Sequence, residues 1–69
     1  MDSINQYNRI KEVLVEQGRS GKWLADKMQK DVATVSRWCT NKVQPSIETL
    51  AIIAEVLDVN IQELLTKTK

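Results

Sequence analysis

The 69-residue sequence has no histidine and no phenylalanine, a single cysteine, a single proline and two glycines. Each scarcity excludes something. Cys39 alone cannot close an internal disulfide, and with no histidine beside it there is no ligand set for zinc. No acid–base pair stands at a convincing catalytic spacing, and no glycine-rich loop could cradle a phosphate, so neither an enzyme nor a cofactor or metal is expected. Gly18, Gly21 and Pro45 are the only strong breakers, which predicts short joints between regular elements rather than long loops. No apolar run approaches the ~20 residues that span a bilayer, and no signal-peptide pattern opens the chain. The expectation is one cytoplasmic domain over residues 1–69, with one small core. Trp23, Trp38 and Tyr7 are the only aromatics, so that core must be mostly aliphatic.

What is present is charge, unevenly placed. The net charge is only +1, but residues 19–42 hold six Lys and Arg against two Asp, a local +4. Residues 43–66 hold four acids and no base, a local −4. A basic middle beside an acidic end gives one electropositive region, the footprint that phosphate binding needs. Charges that merely coat solvated faces would give the same counts.

Hydrophobic spacing is helical throughout, with no sustained alternation of the kind strands require. A first helix is expected from Ser3 or Asn5 to about Gln17, with Ser3 and Gln6 as a capping box and Ile10, Val13 and Leu14 inward. Gly18 supplies its stop. A second is expected over Gly21–Met28 with Leu24, Ala25 and Met28 inward. Asp31 is a suitable N-cap for a third, Val32–Thr40, burying Val35, Trp38 and Cys39. Asn41 can end it in a left-handed conformation. Ser46 caps a fourth helix that reaches about Leu57, and Glu48 lies in its positive first turn. Asn60 and Glu63 introduce a short fifth helix carrying Ile61, Leu64 and Leu65. Each is too short to hold alone in water, so all five must share a core.

The stretch Gly21–Leu50 is the informative one. Two short helices separated by only Gln29-Lys30-Asp31 cannot lie antiparallel and must cross steeply. Close approach accounts for the small Ala25 and for Val35 in the angle, with Leu24, Met28 and Trp38 completing the wedge. One helix then stands proud of the body, shaped for a major groove.

These residues carry a resemblance to the lambda-repressor-like (xenobiotic-response-element type) helix-turn-helix family. The matching residues are Leu24-Ala25-Asp26-Lys27-Met28, Thr34-Val35-Ser36-Arg37-Trp38, Lys42 and Gln44-Pro45-Ser46-Ile47-Glu48-Thr49-Leu50. Ile53-Ala54-Glu55, Val59 and Glu63-Leu64-Leu65 extend the match, which runs from about Arg9 to Leu65. The resemblance implies an all-α, compact five-helix domain with its helix-turn-helix at helices 2 and 3, binding double-stranded DNA as a transcriptional regulator, by expectation a repressor. It implies base contacts from Val32, Ala33, Ser36 and Arg37. A guanidinium can engage guanine O6 and N7 together, and Val32 and Ala33 suit thymine methyls. Backbone contacts are expected from Lys22, Thr34, Thr40, Asn41 and Lys42, which position the domain without reading sequence. Three places leave the family pattern: Gly21 stands where a phosphate-anchoring Gln is usual, Gln29 where the turn usually has Gly, and Cys39-Thr40-Asn41 where Glu-Asn-Gly is common.

The fourth helix is more apolar than one inward face requires. With Leu50, Ile53, Ala54 and Leu57 inward, Ile52 and Val56 point elsewhere, and with Leu65 they are expected to form a homodimer seam on a palindromic operator. Exposed aliphatics scattered on a monomer are the plainer alternative. A different class of function keeps the same surface: an antitoxin or interaction module whose last helices hold a protein partner such as a toxin, with DNA binding as autoregulation.

Overall fold

A computed structural model describes residues 6–66. Four α-helices follow in order: α1 Ile10–Glu16, α2 Gly21–Met28, α3 Val32–Cys39 and α4 Ile47–Leu57. A single 3-10 turn, Ile61–Leu64, stands where a fifth helix was expected. Glu63 there accepts a hydrogen bond from the Asn60 N–H at 3.3 Å, half of a reciprocal cap, but the chain extends again at Leu65. The described residues form no sheet; the one extended pairing is an isolated antiparallel bridge between Asn8 and Leu65.

The first helix is also shorter than expected. It begins at Ile10 rather than near Ser3 or Asn5, residues that with the Ser3 half of the expected capping box lie outside the described stretch. Gln6 instead donates to the Glu12 carboxylate at 2.9 Å. The segment before Ile10 is held out of the helix by distant partners. Arg9 N–H donates to the Leu64 carbonyl at 2.8 Å, and Thr66 N–H to the Tyr7 carbonyl at 3.0 Å. Asn8, 2% exposed, is the hub. Its Oδ1 accepts from Ile10 N–H at the mouth of α1, and its Nδ2 donates to the Trp38 carbonyl and to Gln44 Oε1. A buried amide must be so satisfied, because an unpaired one costs about 1–3 kcal/mol.

All four helices end the same way. A residue in the left-handed region (Gly18, Gln29, Asn41 or Asp58) follows each one. Its N–H and that of the next residue turn back onto the last carbonyls: Arg19 to Leu14, Lys30 to Ala25, Lys42 to Arg37 and Val59 to Ala54. This is the Schellman closure, and it satisfies carbonyls that a helix end would otherwise leave orphaned. At the entrances, Ser20 Oγ accepts from Trp23 N–H and Ser46 Oγ from Thr49 N–H. Sharp stops and firm starts let four helices of at most 11 residues turn back on one another.

They enclose an aliphatic core of Ile10, Val13, Leu14, Leu24, Ala25, Val35, Leu50, Ile53, Ala54, Leu57 and Leu64, with Trp38 as its one buried aromatic. Met28, Cys39 and Ile61 pack half-buried at its edge. Leu65 lies just past the 3-10 turn and is exposed, whereas Leu64 is fully buried.

Candidate nucleic-acid interface

The face of interest is the outer side of α3. Val35 and Trp38 are its inward residues. Helical geometry therefore turns Val32, Ala33, Ser36 and Arg37 outward, and all four are exposed. Val32 is 51% exposed at the first position of the helix, rather than tucked against α2. Asp31 has the extended conformation of an N-cap, but its carboxylate makes no capping bond. The first-turn N–H groups of α3 receive no cap from it.

What holds α3 out is the turn before it. Gln29 is left-handed, with φ 56° and ψ 46°, where the related family usually carries Gly. Close packing continues on the other side of α2: a Cβ added at Gly21 would lie 3.8 Å from Val35 Cγ1, an ordinary contact. Gly21 is thus not imposed by crowding, since a Cβ there would make only an ordinary contact.

An open groove of about 440 Å³ runs between α1, the entrance of α2 and the outer face of α3. Its walls include Lys11, Arg19, Lys22, Val32, Ser36 and Thr40, so reading-edge residues and three cations share one concavity. Cys39 lies at its floor, half-buried. Burial pushes its thiol pKa upward; Lys11 opposes this more weakly, and Glu12 adds to it. A neutral thiol is a poor nucleophile, so this cysteine serves as a small packing residue.

The expected backbone contacts differ in what they have to offer. Lys22 and Lys42 are exposed. Thr34 is half-buried. Thr40 Oγ1 already donates to the Ser36 carbonyl at 3.0 Å, leaving its lone pairs. Asn41 is largely spent on the fold: its Oδ1 accepts from Tyr7 N–H, Asn8 N–H and Gln44 Nε2, and its Nδ2 donates to the Asn8 carbonyl. Its left-handed backbone and this clasp fix the loop on which Lys42 stands. Of the residues assigned to a dimer seam, Ile52 is 50% and Leu65 41% exposed, whereas Val56 packs partly on the core.

Two features escaped the sequence reading. One is Asn8, whose partners lie 30 or more residues away. The other is a stack in which the Arg19 guanidinium lies 4.0 Å from the centroid of the Trp23 ring, with Lys27 Nζ at 5.8 Å. The four-residue interval Arg19–Trp23–Lys27 was the available signal for it.

A helix-turn-helix with an exposed second helix, flanked by cations and closed by α4, defines the class, and comparison with known families agrees. A helix-turn-helix family model matches residues 10–64. The chain belongs to that lambda-repressor-like helix-turn-helix family. Among solved structures it is similar to a candidate DNA-binding protein from Bacteroides fragilis, seen in a crystal structure, with 48% sequence identity and a TM-score of 0.85. That match covers 87% of this chain and 97% of the other. No curated protein matches it.

Proposed function

We propose that this chain binds duplex DNA sequence-specifically through α3 and regulates transcription, as a repressor that occupies its operator. The observation that carries the reading is the outer face of α3. Val32, Ala33, Ser36 and Arg37 are exposed together on a helix braced from behind by Val35 and Trp38, with Lys22 and Lys42 exposed nearby in the chain. Val32 leaves about half of its apolar surface in water, and a thymine methyl would cover that part. Membership of the helix-turn-helix family supports the same reading, as does the description of the Bacteroides fragilis relative as a candidate DNA-binding protein.

In this reading Arg37 and Ser36 read base edges, while Lys22, Thr34, Thr40 and Lys42 meet the backbone. Asn41 acts through the loop it fixes. Two copies bind a palindrome, joined through Ile52, Leu65 and the exposed edge of Val56. Selection of bound sequences from a random duplex library at moderate salt tests the whole proposal. Enrichment of a motif with two-fold symmetry is the expected result, and a library that returns unenriched refutes sequence-specific recognition.

A further inference from the structure

We infer that Arg19, braced on the Trp23 ring, is a further DNA-phosphate contact that grips the duplex beside the reading edge of α3; the inference rests on the DNA-binding reading above.

Arg19 is held at both ends. Its backbone is the last residue of the Schellman closure after α1: Gly18 is left-handed at φ 70°, and Arg19 N–H donates to the Leu14 carbonyl at 2.8 Å. Its guanidinium carbon lies 4.0 Å from the Trp23 ring centroid, a stacking distance. Trp23 is fixed in turn: its ring packs against the core, and its backbone N–H donates to Ser20 Oγ at 3.0 Å, which anchors the first turn of α2. A long side chain that would lose its rotamer freedom on binding has lost much of it already on folding. Stacking uses the flat face of a guanidinium and leaves its N–H donors in the plane, directed sideways. That edge is what a phosphate takes in a bidentate contact.

Placement points the same way. Arg19 lines the groove that also carries Lys22, Val32 and Ser36, so it borders the helix assigned to the bases. Lys27 approaches the same ring at 5.8 Å, gathering a second cation around one indole. Two cations on one indole raise the local positive potential, which favours a polyanion as partner.

The test compares variants on one selected duplex and on a scrambled one, across salt concentration, after circular dichroism has shown each to be folded. Arg19→Ala, an exposed change, should weaken both duplexes alike, by about fivefold to tenfold at low salt, and reduce the magnitude of the log K against log salt slope by about 0.9. Arg19→Lys should restore the slope but not the full affinity. Trp23→Leu keeps every charge, so the slope should hold while affinity falls several-fold, and Trp23→Tyr should recover it. That combination separates a positioning role from a structural one. If Arg19→Ala leaves affinity and slope at the parent values while Lys42→Ala lowers both, the inference is overturned and the DNA-binding reading survives. If the parent protein binds neither duplex, the underlying reading has failed.

Discussion

At the scale of single residues, the proposed interface divides into groups that should fail in different ways. Arg37 stands exposed on the outer face of α3 and can reach a guanine through two donors. Arg37→Ala should therefore cost about 1–3 kcal/mol against the preferred base and relax selection at that position alone. Lys42 is exposed just beyond the left-handed Asn41, and its loss should weaken all sequences equally, as a charge that meets phosphate does. Equilibrium titrations with single-base variants of the selected site separate the two; identical losses across every variant for Arg37→Ala would assign that side chain to the backbone. Cys39 makes a different prediction. Burial raises its thiol pKa, so the thiolate is scarcer near neutral pH than in a free cysteine, and the half-buried sulfur is also harder to reach. Alkylation at pH 7–8 should run slower than that of a free thiol such as glutathione and accelerate only as the solution becomes alkaline. A rate equal to the free thiol's would show that the groove is more open than its geometry indicates.

At the scale of elements, the joints decide what the helices can do. Three of the four helix ends place a non-glycine residue in the left-handed region, at Gln29, Asn41 and Asp58. Asn and Asp tolerate that conformation; Gln does so at a cost of about 1–2 kcal/mol. Gln29→Gly should accordingly stabilise the domain by up to about 1 kcal/mol once the greater freedom of unfolded glycine is subtracted, raising Tm by at most about 4–8 °C. A Tm that falls instead would mean that the Gln29 side chain makes a contact worth more than the strain. The stops at Gly18 and Asn41 were legible in the sequence because their signals are local, whereas the left-handed Asp58 was not anticipated. Ser46 before Glu48, Asn41 after Cys39-Thr40 and the Gln29 turn each act within a few residues, and α2, α3 and α4 lie where spacing put them. The inward residues of the helix-turn-helix were legible for the same reason. The start of α1 was not, since the hydrogen bonds that keep Tyr7–Arg9 out of the helix come from Asn41, Trp38, Gln44 and the Leu64–Thr66 segment. No local pattern announces a partner 30 residues away. The fifth element failed for a related reason: Asn60 and Glu63 do cap a helical turn, but Leu65 is drawn into the bridge with Asn8 and the turn cannot lengthen. Asn8→Ala tests that account. It removes two side-chain donor bonds and the acceptor at the mouth of α1, and should cost about 1–3 kcal/mol for the groups left unpaired. Amide exchange in residues 7–9 and 64–66 should then quicken ahead of the core; unchanged protection there would mean that the bridge stands without its hub.

At the scale of the whole molecule, the described residues form a body of 34 × 24 × 24 Å with a radius of gyration of 11.3 Å. In the proposed reading, one such body presents one recognition helix to one groove. Two copies related by a two-fold axis would set their α3 helices about 34–36 Å apart, one turn of B-DNA, if each contributes a half of roughly its own dimensions. The surface available for that contact includes Ile52 and Leu65, both substantially exposed, with Val56 partly so. Ile52→Glu decides whether this surface joins copies. The side chain is 50% exposed on α4 and the opposite face of that helix carries the core residues Leu50, Ile53, Ala54 and Leu57, so a charge at 52 should leave the fold intact. Opposed across a symmetric seam, the two introduced carboxylates would repel one another and face desolvation. Sedimentation at high micromolar concentration should then show dimer for the parent and monomer for the variant. Binding to the full palindrome should fall by about 10²–10⁴, because the second half-site is no longer engaged at high effective concentration, while the affinity for an isolated half-site stays level. A parent that sediments as a monomer both free and on DNA removes the dimer. A variant that loses dimerisation but keeps its affinity for the palindrome would instead assign these aliphatics to some purpose other than operator recognition.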